Sequence, residues 1–292
     1  MTSNNLVPPL YEGIGTVVRH DGRIKWRQEP EFLRMLQGCD FESRDDDVWI
    51  VGYPKSGRQF LHNIVTAILH RADADTFKER TTRPMGSLET GLMMGPRQRI
   101  FKVNITPTPR VLICRMRYDE IPASVVARPN KIIYVLRNPK DVAAEYYIHH
   151  KTERAFTSTK GRITTPWDDY YEYFLSGDVM GGSLFDLVLD WWRHREEKHI
   201  KFVTYEEITK DLAAAVVDLS QFLGVELNEE EIAKVVSLNE LPTELSGLKE
   251  SNADQKGSIS TWRQFFTDEQ SERFDKLCNE RLKDSGVKLP CT

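Results

Sequence analysis

A short segment near residue 55 combines residue types suited to binding an anion. Lys55, Ser56 and Gly57 follow an apolar run at 48–53 and precede apolar residues at helical spacing. A glycine-containing turn between a buried strand and a helix directs backbone N–H groups and the positive helix end at one point, where Lys55 adds a full charge. The segment predicts a cradle for a phosphate or sulfate group. From these residues alone, an ordinary turn with a surface lysine remains the alternative.

Two further segments offer cations at comparable places. Arg137 follows the apolar run at 131–136, where a guanidinium fork can bind a phosphate through two hydrogen bonds, although a structural ion pair suits it equally. Lys256 and Gly257 lie in a polar segment further along the chain. The spacing does not match GxxxxGK[ST] and no GxGxxG occurs, which disfavours a nucleoside-triphosphatase loop and a dinucleotide site.

These junctions require strands that alternate with helices. Apolar runs followed by helical periodicity lie at 48–53, 131–136 and 200–204. The third helix is predicted to include Ile208 and to end at Gly224. The pattern predicts a single α/β domain over residues 1–292, with a central parallel sheet covered by helices on both faces. Residues 72–111 and 241–261 show no clear period and are predicted to be irregular ligand-covering loops.

Composition excludes several classes of function. The 40 basic and 44 acidic residues give a formal net charge of −4, so no general attraction to nucleic acid is expected. The sequence shows neither a spanning apolar segment nor a secretory signal, and no membrane association is expected. The dispersed cysteines form no metal-ligand cluster, which predicts reduced thiols, a cytoplasmic location and no metal. They are Cys39, Cys114, Cys278 and Cys291.

Three motifs resemble those of the cytosolic sulfotransferases, which transfer a sulfo group from 3′-phosphoadenosine 5′-phosphosulfate (PAPS) to hydroxyls or amines. Residues 46–57 resemble the family's 5′-phosphosulfate loop, TYPKSGTTW. Residues 131–143 resemble its 3′-phosphate segment, and the stretch from Lys256 to Thr267 resembles its late RKGxxGDWKNxFT motif. The similarity covers about residues 45–277. It implies a P-loop-like sulfotransferase fold, PAPS as co-substrate, its desulfonated product PAP, and a small-molecule acceptor.

The resemblance also implies roles for single residues. Lys55 matches the lysine that contacts the bridging and sulfuryl oxygens, which makes it a candidate catalytic residue. The other matching donor-binding positions are Ser56 and Gly57 in the loop, Phe60 and Tyr205 beside adenine, Arg137 at the 3′-phosphate, and Lys256 and Gly257 in the late basic loop.

One departure affects the chemistry directly. Arg115 stands where the family has its general-base histidine. Because a guanidinium has five donors and no acceptor, Arg115 cannot take a proton from the substrate at neutral pH. We expect it instead to bind the sulfuryl group or an anionic acceptor, as a second candidate catalytic residue.

Other departures alter the donor site. Arg58 and Gln59 replace two threonines at the 5′-phosphate, and Gln255 replaces a late arginine. Glu145 replaces a serine at the 3′-phosphate, where a carboxylate about 4 Å away would cost on the order of 1 to 4 kcal/mol. Arg58 would restore part of the positive charge.

Two functions therefore remain open from the sequence. The first is PAPS-dependent sulfo transfer, with phenols favoured because they need little help in losing a proton. The second is a non-catalytic relative that binds a nucleotide, a sulfated ligand or a partner. Among possible substitute bases, His62 and His70 are predicted at the surface and His150 at a helix end. Asp268 replaces an apolar residue of the family's dimer contact and predicts that this dimer does not form.

Overall fold

Strands and helices alternate over most of the chain. The computed structural model describes residues 7–12, 14, 17–38, 40–82, 88–89, 95–128, 130–153, 156, 163–240 and 260–290. The strands are β1 (Val17–His20), β2 (Arg23–Trp26), β3 (Val48–Val51), β4 (Val111–Cys114), β5 (Lys131–Leu136) and β6 (Ile200–Thr204). The helices are α1 (Glu29–Gln37), α2 (Arg58–Leu69), α3 (Ala74–Thr82), α4 (Pro96–Ile105), α5 (Ala123–Val126), α6 (Pro139–Thr152), α7 (Trp167–Ser176), α8 (Leu184–Trp192), α9 (Tyr205–Lys210), α10 (Leu212–Leu223), α11 (Glu229–Asn239) and α12 (Asp268–Leu282).

The central sheet is parallel and has the strand order β4-β3-β5-β6, with β1 and β2 forming a separate hairpin. Val51 of β3 lies opposite Cys114 of β4 and Tyr134 of β5, and Leu136 lies opposite Thr204 of β6. The carboxyl ends of all four strands therefore lie along one edge. Ligands of open α/β sheets bind at this edge, so the topology brings the candidate residues after β3, β4 and β5 together.

Each face of the sheet carries its own core. Trp49 and Val51 of β3 face one apolar cluster, whereas Val48 and Ile50 face the other. The alternation follows from the two-residue period of a strand. Helix α2 packs in the second cluster, and α6 and α8 contribute to the first. The predicted α/β fold with helices on both faces is confirmed, and no helix in the described ranges is long and apolar enough to cross a bilayer.

The prediction that residues 72–111 are irregular is wrong for their described part. Helices α3 and α4 occupy much of this region, and β4 begins at its end. The apolar periodicity is weak because α4 buries only two apolar side chains, Ile100 and Val103, beside a buried arginine, Arg99. The Arg99 guanidinium donates to the carbonyl of Leu88 at 2.6 Å.

The helix predicted from Ile208 to Gly224 is two helices. Asp211 separates α9 from α10 with φ −143° and ψ 86°, and its carboxylate accepts the Ala214 N–H at 2.9 Å. An aspartate that caps a helix satisfies an otherwise unpaired amide, which explains the interruption. The predicted end at Gly224 is confirmed, since this residue adopts the left-handed conformation with φ 73°.

A buried charge cluster joins the hairpin to the segment after β4. The carboxylate of Glu120 accepts hydrogen bonds from Arg23, from Lys25 Nζ at 2.9 Å and from the Arg117 amide at 2.9 Å. Burial alone would raise the pKa of Glu120, but Arg23 and Lys25 outweigh it and lower the pKa from 4.5 to about 2. The ionised carboxylate is thus stabilised in the folded protein.

Glu120→Gln is expected to weaken the acid sensitivity of the fold. A lowered carboxyl pKa contributes stability above its ordinary value and loses it as the pH falls, here from about 5 to about 2. The shift corresponds to about 3 kcal/mol of unfolding free energy. Urea unfolding between pH 7 and pH 3 measures the change, with the exposed Glu280→Gln as control. Equal pH slopes in wild type and Glu120→Gln would contradict the assignment.

Candidate active site

The loop that the sequence predicts to be an anion cradle lies between β3 and α2. Lys55 has a left-handed backbone with φ 67°, and Gly57, with φ 96°, is the residue immediately before α2. Ser56 between them is only 2% exposed, and within the described ranges its Oγ makes no hydrogen bond. A buried hydroxyl without a partner is costly unless a ligand satisfies it. The start of α2 adds amides that have no acceptor within the helix.

Glycine is required at two positions of this loop. A Cβ on Gly57 would lie 2.4 Å from Cδ2 of Tyr205. A Cβ on Gly52 would lie 2.7 Å from Ser56 Oγ and 2.9 Å from the carbonyl oxygen of Val135. The loop therefore packs directly against β5 and against the first residue of α9.

Arg137 connects the second junction to this loop. Its Nη1 donates to the carbonyl of Lys55 at 2.6 Å, and its guanidinium lies 4.6 Å from the centre of the Tyr205 ring. Its Nη2 is 3.8 Å from Oε1 of Glu145 on α6. The structure thus brings together Lys55, Arg137, Glu145 and Tyr205, four of the residues predicted to form the donor site.

Residues 260–262 are hydrogen-bonded to side chains of α6 beside the same site. The Thr261 hydroxyl donates to Glu145 Oε1 at 3.1 Å. The carboxylate of Asp141 accepts the amides of Ser260 and Trp262, each at 3.0 Å. Sequence reasoning missed these two contacts, although Asp141 lies inside the second motif. The predicted residues Gln255, Lys256 and Gly257 lie outside the described residues.

Arg115 is a buried, ion-paired residue. It is 7% exposed, its Nη2 donates to Glu29 Oε2 at 2.7 Å, and its amide donates to Glu89. Burial alone would lower the pKa of Arg115, but the two carboxylates hold it above its ordinary value. Burial also raises the pKa of Glu29, despite the attraction of Arg115. Sequence reasoning missed both glutamates because Glu29 is 86 residues away and no local pattern marks it.

The first residues of α2 point in different directions. Arg58 has its pKa lowered by burial, in part offset by Glu89 and reinforced by Arg115, which indicates that its guanidinium extends toward the Arg115 cluster. Gln59 donates to Asn63 Oδ1 at 3.1 Å along the helix. Phe60 is buried, with its ring centre 6.0 Å from that of Tyr205 in an edge-on contact. Arg58 and Phe60 thus lie near other predicted site residues, Arg115 and Tyr205, whereas Gln59 bonds within its own helix.

Two histidines differ from their predicted positions. His62 was expected at the surface but is buried, which lowers its pKa to about 4. His150 is 1% exposed rather than an ordinary helix-end residue, and burial lowers its pKa to about 3. Its Nε2 lies 2.7 Å from the Tyr11 hydroxyl and its Nδ1 lies 2.7 Å from the Tyr146 carbonyl. Both ring nitrogens of His150 are therefore used within the core.

Gly57→Ala is expected to destabilise the protein more than Gly224→Ala. Both glycines have positive φ, but a Cβ at Gly224 meets no atom within 4 Å, so only backbone strain of about 1 to 2 kcal/mol applies there. At Gly57 the Tyr205 ring must also move, which adds about 1 to 3 kcal/mol. Urea unfolding of both variants measures the difference, and equal losses would refute the close contact.

Arg115→Met is expected to destabilise the fold by about 3 to 5 kcal/mol, because it leaves the Glu29 carboxylate buried without its partner. The double variant Arg115→Met with Glu29→Gln removes that charge and should recover more than half of the loss. Thermal and urea unfolding of the wild type, both single variants and the double variant form the test. A double variant no more stable than Arg115→Met would show that the ion pair is not the cause.

Several known proteins are similar to this chain over most of its length. The amine sulfotransferase of Oryctolagus cuniculus is 32% identical over 267 residues, covering 86% of this chain and 85% of the relative. Sulfotransferase 1B1 of Mus musculus is 30% identical over 271 residues, covering 87% and 88%. The crystal structure of mouse sulfotransferase SULT7A1 complexed with PAP superposes with a TM-score of 0.74 at 26% identity, covering 94% of this chain and 96% of that chain.

The motif-bearing part of the chain also matches a family model. The model of the sulfotransferase domain covers residues 45–286, which include the cradle, Arg115, the Arg137 junction and α12. The chain therefore belongs to the sulfotransferase family, whose reaction is the transfer of a sulfo group.

Proposed function

We propose that this protein transfers the sulfo group of PAPS to the hydroxyl of a small phenolic acceptor. The observation that carries the proposal is the buried Ser56 hydroxyl, which makes no hydrogen bond within the described residues and lies beside Lys55 at the start of α2. A phosphosulfate oxygen would satisfy this hydroxyl. The PAP complex of mouse SULT7A1 supports the choice of nucleotide.

The residues of the loop and of the β5 junction would have separate roles in binding and in charge stabilisation. Ser56, the Gly57 backbone and the first amides of α2 hold the 5′-phosphosulfate by hydrogen bonds and by the helix dipole. Lys55 stabilises charge on the bridging oxygen as the acceptor oxygen forms its bond to sulfur and the bond from sulfur to the phosphate oxygen breaks. The electron pair of the broken bond stays on the phosphate oxygen, and the proton of the acceptor hydroxyl passes to water, because Arg115 cannot accept it. Arg137 receives the second phosphate of the nucleotide and orients Lys55 through its carbonyl.

The residue at position 115 favours phenols as acceptors. Arg115 replaces the usual base, so an acceptor must release its proton without help from that position. Phenols ionise near about pH 10, far below aliphatic alcohols. A phenol therefore needs less help than an aliphatic alcohol in losing its proton, and we expect phenols to be the better acceptors.

A non-catalytic, nucleotide-binding relative is the second candidate. The ion pair between Arg115 and Glu29 at 2.7 Å favours it, because the residue in the place of a general base is already neutralised by a buried carboxylate. This candidate predicts that PAP binds and that no acceptor turns over.

Location and assembly remain predictions. We propose a cytoplasmic protein without the family-type dimer. Asp268 is an exposed residue in the first turn of α12, where its charge favours the helix dipole, and Cys114 and Cys278 are buried free thiols. A charge at this place gives no support to an apolar dimer contact.

Lys55→Met is expected to lower sulfo transfer by at least about 100-fold, because one donor to developing charge is removed. Labelled sulfate transfer from PAPS to phenols of graded pKa and to aliphatic alcohols measures the effect. The exposed Lys234→Met on α11 is the matched control and should leave the rate unchanged. Calorimetry with PAP accompanies each assay.

The outcomes separate the two candidates. Transfer to phenols that rises with their acidity, lost in Lys55→Met, supports the enzyme. Tight PAP binding without transfer to any acceptor supports the non-catalytic relative. No PAP binding at millimolar concentration would refute both.

A further inference from the structure

A stripe of polar side chains follows one face of α2, beyond the predicted anion cradle. His62, Thr66 and His70 are spaced by four residues, and side chains at this spacing lie on one face of a helix. His62 and Thr66 are buried, and His70 follows the last residue of α2. Helix α2 therefore buries polar groups along a face that an ordinary core helix would fill with apolar ones.

These three residues line one wall of a cavity of about 210 Å³. The other walls come from α3, α4 and the segment that leads into β4, and they include Arg80, Lys102 and Val111. Val111 lies opposite Val48, the first residue of β3, whereas the predicted cradle follows the last residue of that strand. The cavity is therefore at the opposite end of the sheet from the candidate active site.

The Thr66 hydroxyl indicates that the cavity holds a ligand. Thr66 is 2% exposed, and within the described ranges its Oγ1 makes no hydrogen bond. A buried hydroxyl without a partner is unfavourable, and most buried polar groups of native proteins have a partner. Since Thr66 lines the cavity, a molecule bound there would provide that partner.

The polar groups of the cavity wall are mainly hydrogen-bond donors. A guanidinium has five donors, an ammonium has three, and neither has an acceptor. Arg80 uses Nη1 to donate to the carbonyl of Pro107 at 3.1 Å. A ligand that offers acceptors, such as an oxyanion, complements Arg80, Lys102 and the Thr66 hydroxyl.

The two cations of the wall are not neutralised by the protein. Among the described residues, no carboxylate lies within ion-pair distance of Arg80 or Lys102, and the exposed Glu79 on the same wall pairs with neither. Arg80 also adds to burial in lowering the pKa of His70, against the opposite effect of Asp73. The guanidinium therefore acts on the same space as this imidazole, and the field there favours an anion.

We propose that this cavity binds a sulfate or phosphate group, with charge supplied by Arg80 and Lys102 and hydrogen bonds supplied by Thr66 and the two imidazoles. The site is separate from the donor site, because the rise of about 1.5 Å per residue along α2 places Thr66 about 14 Å from Gly57. The proposal goes beyond sulfo transfer and does not depend on it.

Histidine NMR on the full chain tests the proposal. Protein with isotope-labelled histidine is titrated with sodium sulfate, with sodium phosphate and, at matched ionic strength, with sodium chloride. The signals of His62 and His70, assigned with His62→Gln and His70→Gln, should shift saturably with sulfate and phosphate but not with chloride. Glycerol phosphate distinguishes the two sources of the group: binding at least about tenfold weaker assigns the site to the free ion, and equal binding assigns it to a phosphate ester.

Charge variants locate the anion. Arg80→Met combined with Lys102→Met removes both cations and should weaken sulfate binding by about tenfold or more. The matched control, Arg193→Met combined with Lys234→Met, removes two exposed cations elsewhere and should leave the affinity unchanged. Lys55→Met removes the lysine of the predicted cradle and should also leave the histidine response unchanged, which separates this site from the donor site.

Thr66→Val gives a second readout that needs no signal assignment. Without sulfate, this variant should be at least as stable to urea as the wild type, because a hydroxyl without a partner is removed. Its sulfate affinity should be about threefold or more lower, so added sulfate should raise the unfolding midpoint less than in the wild type. A loss of stability without sulfate would show that the hydroxyl is already satisfied, which contradicts the site.

Two further results would overturn the proposal. One is the absence of saturable shifts of both histidines at tens of millimolar sulfate, or equal shifts with chloride. The other is an unchanged sulfate affinity in Arg80→Met combined with Lys102→Met. Neither result bears on sulfo transfer, which depends on the loop at the other end of α2.

Discussion

The hydrogen bond from Arg137 to the carbonyl of Lys55 is the contact on which the site depends. It joins the loop after β3 to the junction after β5 and accompanies the left-handed backbone of Lys55, which has φ 67°. A lysine in that conformation is strained by about 1 kcal/mol or more, and the hydrogen bond stabilises it. Arg137 therefore holds together the loop at 55–57, the Tyr205 ring and the start of α6.

Buried ion pairs orient this unit. Arg110 and Asp47, both fully buried in their side chains, form a two-point pair at 2.5 and 2.6 Å that joins the amino ends of β4 and β3. Arg115 and Glu29 form a second pair at the carboxyl end of β4. Such pairs add little net stability because desolvation offsets their attraction, but breaking one partner is costly. The first pair therefore holds β4 beside β3, and the second holds the end of β4 against the start of α1.

Local charge at the sheet edge differs from the net charge of the chain. The whole chain has a formal net charge of −4, yet Lys55, Arg58 and Arg137 all follow strands that end at this one edge. The carboxylate of Glu145 lies 3.8 Å from Nη2 of Arg137. The candidate site thus combines cations with a carboxylate.

Short-range patterns in the chain were sufficient to predict β3, β5 and β6 and the helix end at Gly224, because strand length, helical period and turn glycines are encoded by neighbouring residues. The same patterns place Lys55 and Arg137 after β3 and β5, and their role in binding an anion stays a prediction. They were insufficient for α3 and α4, whose buried faces include an arginine, and for the break at Asp211. The partners of Arg115 and Glu145 depended on packing. Glu29 reaches Arg115 across 86 residues, and Thr261 reaches Glu145 across 116, so only tertiary contacts bring these groups within hydrogen-bond distance.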